Sequence, residues 1–139
     1  MTLNAEQPAP KATDRRPAWE LVIEFVQAKW PGADTEDETM KAFIVDMRER
    51  DRIGRERYGV PLTADNGRDH LVDAFQECLD LMVYLRAWLD ERGRDPAREP
   101  IGEMPIVVDH KRDLLAEHVI MQIFDHAVDA GLALKELLR

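Results

Sequence analysis

An all-α fold, a helical bundle of about four main helices, is what this chain of 139 residues predicts. Three observations lead there. Apolar residues recur at helical spacing in four separate stretches, and no stretch alternates in the manner of a half-buried strand. Charged residues make up 34% and apolar residues 45%, the balance of amphipathic helices with salted outer faces. The length suits one compact core, at roughly 150 residues per domain.

Residues 1–16 combine Pro8 and Pro10 with polar residues and no large aliphatic beyond Met1 and Leu3, so a flexible N-terminal tail is expected. A single all-α domain is expected over 17–139. Trp19, Val22, Ile23, Val26 and Trp30 mark its first helix, with Pro17 suited to the first turn and Pro31-Gly32 as a stop. Thr35 and Glu38 form a capping-box match before the second helix. Its stripe is Met40, Phe43, Ile44 and Met47, and it runs to about Tyr58, where residues 58–67 are rich in breakers and form a loop. Leu71, Phe75, Cys78, Leu79, Met82, Leu85 and Leu89 define the third helix, closed by Arg92-Gly93. Residues 92–108 read as an irregular connector with a short extended piece at 106–108. From Asp109 a fourth helix, carried by Leu114, Leu115, Ile120, Ile123, Phe124, Val128, Leu132 and Leu137, reaches the C-terminus. These stripes are wide for a monomer of this size, which predicts burial between copies in a homodimer or homotetramer.

Composition also excludes. With 28 acidic and 19 basic side chains the formal charge is −9, which repels nucleic-acid polymers. The single Cys78 cannot form an internal disulfide and reads as a small buried hydrophobe, pointing to a reducing, cytoplasmic compartment. The opening residues hold no apolar signal core, and no uncharged apolar run approaches membrane-spanning length, so neither export nor a membrane is expected. A phosphate-binding P-loop, a Gly-x-Ser-x-Gly elbow and the Glu-x-x-His pairs of di-iron bundles are all missing from the sequence. His118, Gln122 and His126 share a helix face that suits a transition metal or, more simply, solvated histidines, and His70 suits a cap region. Trp19, Trp30 and Trp88 read as core or interface residues, with base stacking as the alternative.

Two rows of carboxylates carry the chemistry. At about 100° per residue, His70, Asp73, Glu77, Asp80 and Tyr84 share one side of the third helix. Ala42, Asp46, Glu49 and Ile53 line the second, so two carboxylates lie between apolar neighbours. Each pair falls about nine residues, or ~14 Å, from the intervening loop, and an antiparallel hairpin would bring them level. Four facing carboxylates repel by roughly 3 kcal/mol per pair at 5 Å and an effective dielectric of 20, and a hard divalent cation relieves this. Mg²⁺ is the natural ion, with Mn²⁺ as a substitute, because it prefers carboxylate oxygens and bridges to phosphates. The wet faces of two amphipathic helices are the plainer alternative. Five arginines, Arg48, Arg50, Arg52, Arg55 and Arg57, crowd the ten residues 48–57, favouring an anionic ligand or, one by one, ion pairs with Glu49, Asp51 and Glu56.

Asp46-x-x-Glu49 and Glu77-x-x-Asp80, with the 27 residues 50–76 between them, resemble the acidic pairs of the MazG-like all-α nucleoside triphosphate pyrophosphohydrolases. Arg55-Glu56-Arg57-Tyr58-Gly59-Val60-Pro61-Leu62 and Asn66-Gly67-Arg68-Asp69 are similar to the phage and bacterial branch, over roughly residues 40–90. The resemblance implies an oligomeric helical bundle that binds Mg²⁺ through Asp46, Glu49, Glu77 and Asp80 and cleaves a nucleoside triphosphate to the monophosphate and pyrophosphate. Asp46 stands where the pattern prefers glutamate, and the gap lies near its long end. On this view Glu49, Glu77 and Asp80 are catalytic, Arg55 and Arg68 meet phosphate, and Asn66, Tyr58 and Tyr84 meet base or sugar. Asp73 is either an orienter of Glu77 or a charge at the helix start. The alternative from another class is a non-catalytic helical dimerisation or nucleotide-binding regulatory module.

Overall fold

A computed structural model describes residues 3–30, 38–95, 97–98 and 111–139, the last stretch with side chains from 116 onward except 117. The described residues hold four helices and no strand: α1 (Ala18–Lys29), α2 (Glu38–Tyr58), α3 (His70–Glu91) and α4 (Lys111–Leu137). All four coincide with the segments predicted from apolar spacing. The Pro31-Gly32 stop, the Thr35 half of the capping box and the extended piece at 106–108 lie outside the described residues. Backbone contacts group the chain into two compact units, Gln7–Arg68 with α1 and α2, and Met1–Glu6 plus Asp69–Arg139 with α3 and α4.

In the α1/α2 unit, Pro17 supplies φ −57° ahead of α1 and lacks the N–H that a first turn would leave unpaired. Ala18 N instead donates to the Leu62 carbonyl at 2.8 Å, fixing the start of α1 to the loop after α2. The core is Val26, Ile44 and Met47, flanked by Trp19, Ile23 and Met40. Val22, Trp30 and Phe43, which share the predicted stripes, are exposed. One helix laid on another buries only a narrow seam, so the edges of a wide stripe stay open. Gly59 at φ 73° ends α2, its N–H donating to the Arg55 carbonyl at 2.8 Å in the left-handed conformation that glycine adopts without penalty.

Residues 7–16, expected to be loose for want of apolar side chains, are tied by hydrogen bonds instead. Lys11 N donates to the Asn66 carbonyl at 2.8 Å, and Thr13 Oγ1 meets Thr63 Oγ1 at 2.8 Å. Thr63 and Asn66 are themselves buried, the only buried polar residues among those described.

Asp69 caps α3 in the other unit, accepting from Leu71 N at 3.0 Å and Val72 N at 3.2 Å. Gly93 at φ 66° closes it, while Arg94 N returns to the Leu89 carbonyl at 2.9 Å. Val72, Phe75, Leu89, Met121 and Ala127 are the buried apolar residues here. At Gly131 α4 passes beside α3, where a Cβ would stand in ordinary van der Waals contact, 3.7 Å from the Cys78 Cβ. Cys78 is half-buried and free. Gln76 Nε2 donates to the carbonyls of Leu3 at 2.8 Å and Ala5 at 3.0 Å, holding the first residues of the chain on α3.

Candidate metal and nucleotide site

Along α2, Ile44 and Met47 turn to α1, and the opposite side carries Ala42, Val45, Asp46, Glu49 and Ile53, all exposed. Along α3, Val72, Phe75 and Leu89 are buried, and Glu77, Asp80 and Tyr84 are exposed across the helix from them. Each acidic pair therefore sits on the side of its helix left open by the packing within its own unit. Asp46 and Glu49 lie 12 and 9 residues before Tyr58, and Glu77 and Asp80 lie 7 and 10 after His70. At about 1.5 Å per residue the four acids lie roughly 10–18 Å along their helices from those ends.

Glu49 is not bare. Arg52 grips it with two donors, Nε to Oε2 at 2.8 Å and Nη2 to Oε1 at 2.6 Å, and reaches Glu56 with its remaining arm. The hydrogen bond from Arg52 holds the Glu49 carboxyl below its ordinary range, and the two acids push the Arg52 guanidinium up. Arg55 donates Nε to Asp51 at 2.9 Å and lies 3.9 Å from Glu20, so its pKa is raised chiefly by the Asp51 bond. Arg57 lies over the Tyr58 ring at 5.2 Å. Ion pairing along the helix, one of the two alternatives for this cluster, thus occupies Arg52 and Arg55. Arg48 differs: with Glu20, Ile23, Glu24 and Asp51 it lines an open groove beside α1.

Of the other residues nominated by sequence, Tyr58 and Tyr84 are exposed, Asp73 is half-buried and its N–H donates to the Asp69 carbonyl at 3.0 Å. Arg68 Nη1 donates to the Pro8 carbonyl at 2.8 Å, and Asn66 is fully buried with Oδ1 accepting from Arg68 N at 3.0 Å. His118 and Gln122 are joined at 3.2 Å, while His126 is exposed. Trp88 lies under Arg92 at 3.5 Å and Trp30 under Lys29 at 4.8 Å, contacts that neither a core nor a stacking role foretold.

Among the described residues, no group of three or more His, Cys, Asp or Glu side chains gathers as a metal centre. Each acidic pair separately offers hard oxygen donors of the kind Mg²⁺ takes, an ion that keeps several waters and needs only one or two carboxylates from a given element. The donor set fits the ion in kind. No helix of the described residues is long and apolar enough to cross a membrane. No family model, curated protein or solved structure matches this chain.

Proposed function

We propose that this chain hydrolyses a nucleoside or deoxynucleoside triphosphate to the monophosphate and pyrophosphate, with Mg²⁺ held by Asp46, Glu49, Glu77 and Asp80. The observation that supports it is the placement of both acidic pairs on the open faces of long consecutive helices, at similar depth and in the spacing that resembles the MazG-like pattern. Bound Mg²⁺ would supply charge neutralisation of the phosphate chain and a more acidic water.

The chain's own groups do the rest. One carboxylate of Glu49, Glu77 and Asp80 takes the proton from water as its oxygen bonds to phosphorus and the bridging oxygen leaves with pyrophosphate. Arg55 and Arg68 bind phosphate oxygens, Arg55 by turning its guanidinium from the Asp51 carboxylate. Tyr58, Tyr84 and Asn66 meet base or sugar, and Asp73 orients Glu77 from one turn away. Exposed Phe25, Phe43, Val83 and Leu132 support assembly as a homodimer or homotetramer, and the absence of disulfide-forming cysteine pairs supports a cytoplasmic setting.

A panel of ribo- and deoxyribonucleotides with Mg²⁺ or Mn²⁺, followed by pyrophosphate release, tests this. Glu77→Gln and Asp80→Asn should each lower the rate by about a hundredfold or more with helicity retained. A second reading, a nucleotide-binding regulatory module without turnover, draws on the Arg52 grip on Glu49. It predicts binding without pyrophosphate from any nucleotide.

A further inference from the structure

The open sides of the four helices differ in what they offer a partner. Those of α2 and α3 carry the acidic pairs, and among the described residues that of α4 carries Gln122, Asp125, His126 and Asp129. Such faces keep their water. On α1, Trp19, Ile23 and Val26 pack with α2, and across the helix from them Leu21, Val22 and Phe25 stand 48%, 45% and 62% exposed, with Ala28 exposed beside them. A helix apolar on two sides belongs between two neighbours.

The spacing on this second side fixes a register. Ala18, Leu21, Phe25 and Ala28 follow at three- and four-residue intervals, the a and d places of a heptad, and none is charged. Glu24 then takes a g place and Lys29 the next e place, five residues on, which is the charge pairing that joins two parallel helices across their seam. Both side chains are free to make it. Arg16 donates both Nη atoms to the Glu24 carboxylate, holding it beside the seam, and an ionised carboxylate keeps further acceptor sites. Lys29 lies over the Phe25 and Trp30 rings at 5.8 and 4.8 Å and has no carboxylate partner among the described residues. An antiparallel pair would instead set the Glu24 flank of one helix against the Glu24 flank of the other.

We propose that α1 pairs with α1 of a second copy, parallel and about a twofold axis, with Leu21 and Phe25 in the seam and Glu24 bonded to Lys29 of the partner subunit. This gives the expected assembly a face and is independent of nucleotide hydrolysis. Leu21→Cys in a Cys78→Ser background tests the register, because a parallel twofold seam sets position 21 beside its own copy. Oxidised glutathione should link most of that protein into dimers on a non-reducing gel, while Val83→Cys in the same background, on an open side of α3, stays monomeric there. Sedimentation equilibrium of Phe25→Glu, at an exposed site where helicity is retained, should give a dimer Kd at least tenfold above wild type. Lys29→Glu, which sets like charges across the seam, should raise it at least threefold at low salt and less at high salt.

No link at position 21, equal linking at position 83, or an unchanged Kd in Phe25→Glu would each overturn the α1 pairing. A wild type that still dimerises then loses only this face, and a monomeric wild type rejects the face and the assembly together.

Discussion

Arg52 places both donors of its fork on Glu49, and that one contact fixes how the carboxylate titrates. Because the folded Glu49 pKa lies below its unfolded value, the pair stabilises the fold above the ordinary carboxylate range and loses this as pH falls through the folded value. The Arg16 bond to Glu24 behaves alike. Both pairs are exposed, so added salt weakens them. Arg52→Gln should raise the Glu49 titration back toward the ordinary carboxylate range, read by carbon-13 NMR of the side chain; an unchanged titration would contradict the contact. In the core, Leu89 is fully buried, and Leu89→Ala should lower unfolding free energy by about 2–5 kcal/mol in urea titration. Leu71, on the same predicted stripe but exposed, should cost far less when truncated.

At the scale of elements, helix ends were legible because they are written in local chemistry. Pro17, Tyr58-Gly59 and Arg92-Gly93 stop or start helices in the structure where their backbone preferences predict. Asp69→Ala should destabilise α3 by about 1 kcal/mol through loss of the bonds to Leu71 N and Val72 N, measured by thermal or urea unfolding. The hydrogen bonds that hold residues 8–13 were not legible. They join Thr13 to Thr63, Lys11 to Asn66 and Arg68 to Pro8 across long stretches of chain, and such polar contacts leave no periodicity in a sequence. Nor did spacing say which edge of each stripe would be covered: Phe43 and Ile44 are neighbours, and only Ile44 meets α1. For the site, spacing placed Asp46, Glu49, Glu77 and Asp80 on the open faces of their helices, while the partners that hold Arg52 and Arg55 were visible only as alternatives among several acids.

For the whole molecule, the open apolar side chains favour a second copy, while the net charge of −9 on each copy opposes it. Phe25, Val83, Tyr84 and Leu132 each keep more than half of their surface in solvent, and burying them against a second copy removes that cost. Light scattering should give a mass of at least twice 16.0 kDa, and a monomer at micromolar concentration would contradict the expected assembly. On the proposed function, Mg²⁺ should also raise the melting temperature relative to EDTA, since a ligand at about 100 times its Kd adds roughly 2.7 kcal/mol.

The most direct measurement is titration with Mn²⁺ followed by electron paramagnetic resonance, on the wild type and on two double variants, Asp46→Asn with Glu49→Gln and Glu77→Gln with Asp80→Asn. Joint ligation predicts saturable binding by the wild type that is lost in both variants. Binding retained by either variant, or none by the wild type, would contradict it.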